Sequence, residues 1–437
     1  MNGRMVPVLI LAVLTIGALS TALALSFWHP ACVLLPFSLP DQAKVLFILP
    51  HPDDEVISAG GIIPELEKRN CQMAFIYLTN GENFEWAAEE ESGNTLLTPQ
   101  QYLKFGYDRQ RETGNALQAL GLAHPRLTFL GYPDRSLTSL LTLHWSSKNP
   151  FFSRQLKTDR TPYTNSFDPQ AIFSGECLLE DLEKAIGQTP WDIIFLPSPY
   201  DAHPDHWAAA AFARMAIEEL RGKWSKSPTL VSYLVHRGDW PGQNGKPSSP
   251  LLPPASMRGE GWNWMSFNLT PEDLTLKERA LREYKSQLSI LSGYLFSFLR
   301  PNELFSLDTP LSLQGEAEVK EPAADTFWRT IFKGADFKSL SFSWDNGLKL
   351  NITTSGSFPK TFDLNIYILS WRAGKWSPLL VNDAFRNLKK FKGSIVRSGK
   401  SIEIFIPLEK PQAFLLTLSS RYWINIDRSS CWLISLP

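Results

Sequence analysis

The sequence predicts an α/β domain, a mostly parallel sheet flanked by helices, followed by an all-β sandwich at its C-terminal end. Two observations carry this. As far as about residue 290, short continuous apolar runs alternate with helix-like stretches, the pattern of strands buried on both faces and linked by crossover helices. Beyond about residue 326 the helical periodicity stops, and short β-type runs recur between Gly, Asn, Lys and Pro. A length of 437 residues suits two or three domains, and a content of 43% hydrophobic and 20% charged residues suits a sizeable folded core. Lys plus Arg number 43 against 44 Asp plus Glu, for a net charge of −1, so the basic excess that neutralises nucleic-acid phosphates is missing.

From the N-terminus, residues 1–40 hold an uncharged run, Met5–Trp28, preceded by Arg4 and followed by a Pro-rich spacer, His29–Pro40. Such a run can cross a hydrocarbon core of roughly 30 Å, for which about 20 residues suffice. A cleaved signal peptide is the alternative, with Ala22-Leu23-Ala24 as its processing site. Read as an anchor, the run places the N-terminus in the cytoplasm and the rest of the chain outside, because Arg4 precedes it and Asp41 follows it. If it is cleaved, the protein is secreted. Cys32, Cys71, Cys177 and Cys431 are widely spaced, which excludes a finger-type zinc site and leaves free thiols or one or two disulfides open.

The α/β domain is expected over residues 41–305, a linker over 306–325 and the sandwich over 326–437. Strands are predicted at Lys44–Leu49, Met73–Gly81, Leu127–Gly131, Asp192–Pro197 and Leu230–Val235. Helices are predicted at Ile57–Lys68, Arg109–Leu122, Leu179–Ile186, His206–Leu220 and Thr270–Leu288. Thr138–Glu176 and Pro241–Trp262 read as long loops. In the first of these, Trp145, Phe151, Phe152 and Tyr163 could stack on a sugar or pack the loop onto the body. Most tryptophans of the sandwich, among them Trp328, Trp344, Trp371, Trp376, Trp423 and Trp432, read as core; exposed ones would suit glycan binding.

Chemistry concentrates at two strand ends, the place where open α/β sheets bind ligands. His51-Pro52-Asp53-Asp54-Glu55 follows the first predicted strand directly. Asp201-Ala202-His203-Pro204-Asp205-His206 follows the fourth and opens a helix, so that His203 and His206 share a face. One site fed by both could offer a metal two imidazoles and a carboxylate and leave a fourth position open, as in catalytic zinc sites. Of the neighbours Asp53 and Asp54, one can then ligate while the other takes a proton from the attacking water. The bland alternative for the acids is complementation of a helix dipole, and for HPDH an ordinary surface loop.

PHPDDE, LTNGE, RQRETGNALQALGL, YPDRSL, HPDH and KERALREYKSQL occur in the order in which the sequence resembles the PIG-L/LmbE family of zinc-dependent de-N-acetylases, over roughly residues 43–290. The resemblance implies a Rossmann-like α/β fold and hydrolysis of a linear amide, with one Zn2+ per chain. It implies that His51, Asp54 and His206 hold the zinc, that Asp53 is the general base, and that His203 stabilises the oxyanion as an imidazolium. Arg109 and Asp134 match positions associated with holding the sugar, against an ion pair of Arg109 with Glu112 and a turn-stabilising role for Asp134. Glu55 is expected to be structural, Asp205 to cap the helix, and Gly60 and Gly61 to allow close packing.

The function expected is therefore zinc-dependent removal of acetyl from an N-acetylglucosamine-type sugar or glycoconjugate, with the N-terminal segment as the link to a membrane. The rival is a membrane-tethered glycan-binding or scaffold protein carrying a relic deacetylase domain.

Overall fold

Strands β1 (Leu35–Pro36), β2 (Lys44–Leu49), β3 (Gln72–Thr79), β4 (Arg126–Tyr132), β5 (Ile193–Pro197), β6 (Thr229–Tyr233), β7 (Trp264–Asn268) and β8 (Asn302–Leu307) build one sheet, ordered β1-β7-β8-β6-β5-β2-β3-β4. The stretch β6-β5-β2-β3-β4 is parallel, while β8 runs antiparallel to both β6 and β7. The computed structural model describes residues 33–436 apart from 239, 243–247, 260, 310, 323–328, 330, 360, 383–392 and 422–424. The apolar run Met5–Trp28, Cys32, Trp328 and Trp423 thus lie outside the described residues, among which no helix is long and apolar enough to cross a membrane. Cys71, Cys177 and Cys431 are free thiols.

The apolar run KVLFIL is buried on both faces because it is central. Leu46 and Ile48 face one core, with Leu182 and Phe212; Val45, Phe47 and Leu49 face the other, with Ile63, Leu117 and Leu281. The rings of Phe75, Phe47 and Phe195 stack across β3, β2 and β5 at centroid separations of 4.9 and 4.7 Å. These parallel strands are therefore held by side chains as well as by backbone bonds.

The helices are α1 (Asp54–Ala59), α2 (Ile62–Lys68), α3 (Glu85–Ser92), α4 (Pro99–Ala119), α5 (Leu137–Thr142), α6 (Gly175–Gly187), α7 (Pro204–Leu220), α8 (Pro271–Leu281) and α9 (Lys285–Phe296). Two expected single helices are each a pair. The first breaks at Gly60-Gly61, where the Gly61 and Ile62 N–H groups donate to the buried Glu303 carboxylate at 2.7 and 3.0 Å and a side chain on Gly61 would strike Leu269. The second breaks at Tyr284, whose hydroxyl is drawn to Glu55. Helix α4 starts ten residues before Arg109, at Thr98-Pro99, where Thr98 and Gln101 form a reciprocal capping box. The expected loop Thr138–Glu176 contains most of α5, and Trp145 and Tyr163 are buried in the body, not displayed to a ligand.

The segment 306–325, expected as a linker, carries two strands of the second domain, β9 (Leu311–Ser312) and β10 (Glu316–Lys320). With β11 (Phe337–Trp344), β12 (Leu348–Thr354), β13 (Asp363–Arg372), β14 (Lys375–Asn382), β15 (Ser394–Ser398), β16 (Ser401–Ile406), β17 (Ala413–Arg421), β18 (Asn425–Arg428) and β19 (Trp432–Ser435) they form two facing sheets, β10-β11-β12-β16-β15 and β14-β13-β17-β19-β9, with β18 on β17. Strands β13, β17 and β19 alternate between two cores. Leu364, Ile366, Ile368, Phe414, Leu416 and Ile434 fill the sandwich, while Tyr367, Leu369, Ala413, Leu415 and Leu433 join the core of the α/β domain beside α6 and α7. Trp207 Nε1 donates to Ser429 O at 3.0 Å and Trp376 Nε1 to Glu219 at 2.7 Å across this junction. Trp376 and Trp432 are buried and Trp344 and Trp371 half-buried, so these aromatics serve packing and do not form an exposed glycan-binding face.

Glu303 is fully enclosed. Lys277 Nζ donates to it at 2.6 Å and to Ile57 O at 3.0 Å, which ties α8 to both α1 and α2. Lys277→Met, which strands the carboxylate, is expected to cost about 3–5 kcal/mol. Urea unfolding of wild type and variant measures it, and a change under about 1 kcal/mol would remove this pair from the framework.

Candidate active site

Strands β2 and β5 are neighbours, with Val45 opposite Ile193 and Phe47 opposite Phe195. From β2 the chain goes to β3 and β4 on one side; it returns to β5 and β6 on the other. The sheet order therefore reverses between β2 and β5, and a crevice opens at their carboxyl ends. Both acid-and-histidine clusters lie there, the first between β2 and α1, the second between β5 and α7.

In the first cluster the His51 N–H donates to Asp54 Oδ2 at 2.9 Å, which turns the chain tightly into α1. Asp53 has φ 112°, a left-handed conformation that costs a non-glycine residue of order 1–3 kcal/mol. Arg109 on α4 holds it there. Its Nη2 donates to Pro52 O at 2.5 Å and to Asp53 Oδ2 at 3.1 Å, and its Nη1 to Gly81 O at 2.8 Å. The expected alternative partner, Glu112, instead accepts from the Ser286 N–H and hydroxyl at 2.8 and 2.6 Å. Burial raises the Asp53 carboxyl to about 7, with Arg109 opposing and Asp54 adding to the rise. Glu55 points away, to the Tyr284 hydroxyl, and burial raises it to about 8.

Asp54 sits between the two clusters. Its oxygens lie 3.2 Å from His206 Nε2 and 3.5 Å from His51 Nδ1. Burial works against its charge, but His206 overrides that and holds the carboxyl well below the usual range. On the far side of the His206 ring, Nδ1 lies 3.3 Å from Asp201 Oδ2. Asp201 is anchored by the N–H groups of His203, Val235 and His236 at 2.9–3.0 Å. A carboxylate behind an imidazole fixes ring orientation and raises its basicity. Despite burial, the acids Asp54 and Asp201 raise His206 to about 9.

His203 is the residue before α7, and its Nδ1 accepts the Asp205 N–H at 3.2 Å. An accepting Nδ1 carries no proton, so the ring is a neutral donor through Nε2, not the imidazolium expected from the sequence. Burial and the neighbouring imidazoles of His51, His206 and His236 act the same way, lowering it to about 2. Asp205 does more than cap a helix. It accepts from the Arg135 and Leu137 N–H groups at 2.6 and 3.0 Å, and so locks α7 to the YPDRSL turn. That turn places Asp134 Oδ1 3.1 Å from His51 Nε2, while Asp134 Oδ2 accepts the Asn83 N–H at 3.2 Å.

One residue the sequence reading missed is His236, just past β6. Its ring lies 4.7 Å from that of His206 and 5.0 Å from that of His203, and its Nδ1 is 2.8 Å from the Tyr294 hydroxyl. A lone histidine after a strand has no spacing pattern to single it out. Arg135, Gln287 and Tyr294 also line the cavity of about 220 Å³ that His51, Asp53, Arg109, Asp134, His203 and His236 enclose. That volume is below the ~300 Å³ at the low end of drug-sized pockets and suits one sugar unit.

The donor set fits a metal ion. His51, His203 and His206 can bring one ligand atom each within 4.8 Å of one another; so can Asp54, His206 and His236, and His51, Asp134 and Asp205. His206 is common to the first two groups and His51 to the first and third; the expected set His51, Asp54 and His206 is not itself one of the three, although Asp54 lies within 3.5 Å of both imidazoles. Both nitrogens of the fully buried His206 lack a protein hydrogen bond of good geometry, an unsatisfied state that a bound cation would relieve at one of them.

Residues 46–217 match the family model of PIG-L, GlcNAc-PI de-N-acetylase. A 1D-myo-inositol 2-acetamido-2-deoxy-alpha-D-glucopyranoside deacetylase from Mycolicibacterium vanbaalenii is 26% identical over 57% of this chain and 82% of its own length. The protein of that name from Corynebacterium jeikeium is 24% identical over 59% and 81%. Among solved structures, the N,N'-diacetylchitobiose deacetylase of Pyrococcus horikoshii aligns over 61% of this chain and 84% of that chain, at 18% identity and a TM-score of 0.38.

Arg109 ties helix α4 to two turns, at Pro52-Asp53 and at Gly81. Arg109→Met leaves Asp53 and two carbonyls without their donor and is expected to destabilise the domain by about 3–5 kcal/mol. Thermal unfolding is the check, and an unchanged melting temperature would show that Arg109 does not maintain the Asp53 conformation.

Proposed function

Because residues 46–217 are a PIG-L family domain, we propose that the chain is a zinc-dependent amidohydrolase that removes acetyl from an N-acetylglucosamine-type sugar or glycoconjugate. One observation carries the reading: both clusters meet at the reversal of strand order, where Asp54 lies within 3.5 Å of an imidazole from each. The activity of the two relatives supports it, since both are deacetylases of an acetamido sugar.

His51, Asp54 and His206 would hold the ion. When bound, zinc supplies a water acidic enough to act as hydroxide near neutral pH and polarises the amide carbonyl. Asp53 lies on the cavity wall, held by Arg109, and takes the proton of the attacking water at its carboxylate. His203, fixed by its Nδ1 contact, presents Nε2–H to the oxygen that gains charge as the tetrahedral centre forms. Asp134, whose backbone and carboxylate are fixed by Glu82 and Asn83, accepts hydrogen bonds from sugar hydroxyls. The outer edge of Arg109 borders the same cavity and completes the sugar wall.

The full chain, purified without chelator, is expected to carry about one zinc and to release acetate from N-acetylglucosamine conjugates. Asp53→Asn is expected to keep the metal and lose about 10²–10⁴-fold in kcat. His206→Ala is expected to lose the metal itself. Metal analysis and acetate assay of the three proteins decide the matter. Wild type with neither metal nor acetate release would favour the glycan-binding scaffold, and full activity in Asp53→Asn would overturn the assignment of the base.

The uncharged run Met5–Trp28 supports a membrane tether with the cavity on the extracytoplasmic side. Carbonate-washed membranes of expressing cells should retain the chain, and protease added from outside should reach it. Recovery in the cytosolic fraction would dispose of the tether.

A further inference from the structure

A second cavity, of about 290 Å³, lies where the two domains meet, behind the loop of the second histidine cluster. Asp201, Ala202 and Pro204 line it while His203 between them lines the first cavity, and Arg237 and Gly238 line it next to His236, which lines the first. The two strand-end loops thus form a partition with a cavity on each side. The far wall belongs to the sandwich and supplies Glu321, Arg329, Asp427, Arg428 and Ser430.

Three arginines, Arg237, Arg329 and Arg428, share this space with three acids, Asp201, Glu321 and Asp427, but each acid is already engaged, Asp201 by His206 and three backbone N–H groups. Asp427 pairs with Arg329 and accepts the Phe337 N–H at 2.7 Å. Glu321 accepts from the Ser430 N–H and hydroxyl at 2.9 and 3.1 Å and from Trp432 Nε1 at 3.0 Å. Both acids are therefore turned into the sandwich. Burial, with Asp427 adding to it, raises Glu321 to about 7, which weakens its negative charge further at neutral pH. The Arg237 Nη1 donates to Tyr200 O at 2.5 Å. Arg428 lies with its guanidinium carbon 4.2 Å from the centre of a Trp207 ring, and among the described residues it has no carboxylate partner. A guanidinium stacked on an indole, taken largely out of water and offering its edge to a cavity, is the arrangement that forks an oxyanion.

We propose that this interdomain cavity is a second ligand site, separate from the histidine cluster, which takes a small oxyanion, a phosphate or a carboxylate, on a group no larger than one sugar unit, with Arg428 as its fork. The site exists only when the sandwich is docked, because Tyr200, Trp207 and Arg237 come from one domain and Arg428 from the other. A ligand bound there fastens the sandwich to the Asp201–Pro204 loop.

The test is titration calorimetry of the full chain after chelator treatment, so that no metal-bound anion contributes, with inorganic phosphate, glucuronate and glucose as probes. Phosphate or glucuronate is expected to bind and glucose not to, and which anion binds more tightly identifies the natural group as phosphate or carboxylate. Arg428→Gln is expected to weaken binding about tenfold to a hundredfold, the worth of a charge-assisted hydrogen bond. Arg428→Lys keeps the charge and the packing but loses the fork, and is expected to fall between the two; it serves as the variant of record if the glutamine protein does not fold. Absence of binding by either anion, equal binding of glucose, or an affinity unchanged in the variants would overturn the proposal.

Discussion

The pairing of β2 with β5 is the constraint on which the rest depends. These strands are adjacent and parallel, yet the chain leaves the first for one half of the sheet and reaches the second from the other half. No crossover helix can cover the crevice where the halves part, so polar loops can meet there without being sealed into a core. The stacked rings of Phe47 and Phe195 lock the register of the pair. That register delivers His51 and Asp54 from one loop, and His203 and His206 from another about 150 residues away in the chain, to a common point.

Charge at that point is maintained by neighbours which themselves have neighbours. Asp54 is flanked by two imidazoles, His206 by two carboxylates, and Asp201 by three backbone N–H groups. Buried ions are tolerated only when paired and hydrogen-bonded. Here each pairing also fixes an orientation: Asp205 holds the YPDRSL turn against α7, His203 keeps one tautomer by accepting from the backbone, and Arg109 keeps Asp53 in a conformation it would not adopt by itself. The polar groups at the crevice thus form the joint between four loops as well as a constellation of reactive side chains.

The sequence shows what is local and hides what is remote. KVLFIL and DIIFLP are legible as buried strands because apolar runs between turn residues have few other uses, and the clusters that follow them stand out by composition. The break between α1 and α2 is not legible, because the carboxylate that enforces it, Glu303, arrives from some 240 residues further along. His236 is silent for a related reason: its role comes from ring contacts with His203 and His206, and nothing in LVSYLVHRG announces them. The neutral state of His203 depends on one backbone contact that motif comparison does not register. The start of α4 is marked locally, by the capping box Thr98-Pro99-Gln100-Gln101, ten residues ahead of the Arg109 motif. The stretch 306–325 is polar enough to read as a tether, but β10 pairs fully with β11 there.

The double-faced strands of the sandwich bear on how the molecule is made. Leu369, Ala413, Leu415 and Leu433 complete a core whose other members, Phe212, Met215 and Ala216 among them, lie on α7. A chain synthesised from its N-terminus exposes that apolar face of α7 from residue 221 onward, and covers it completely only when β13, β17 and β19 have all emerged. The α/β half is therefore incomplete during its own biosynthesis. A transient hydrophobic surface of this kind is a natural substrate for a holding chaperone, and premature termination anywhere in the sandwich leaves the nascent protein with an adhesive flank.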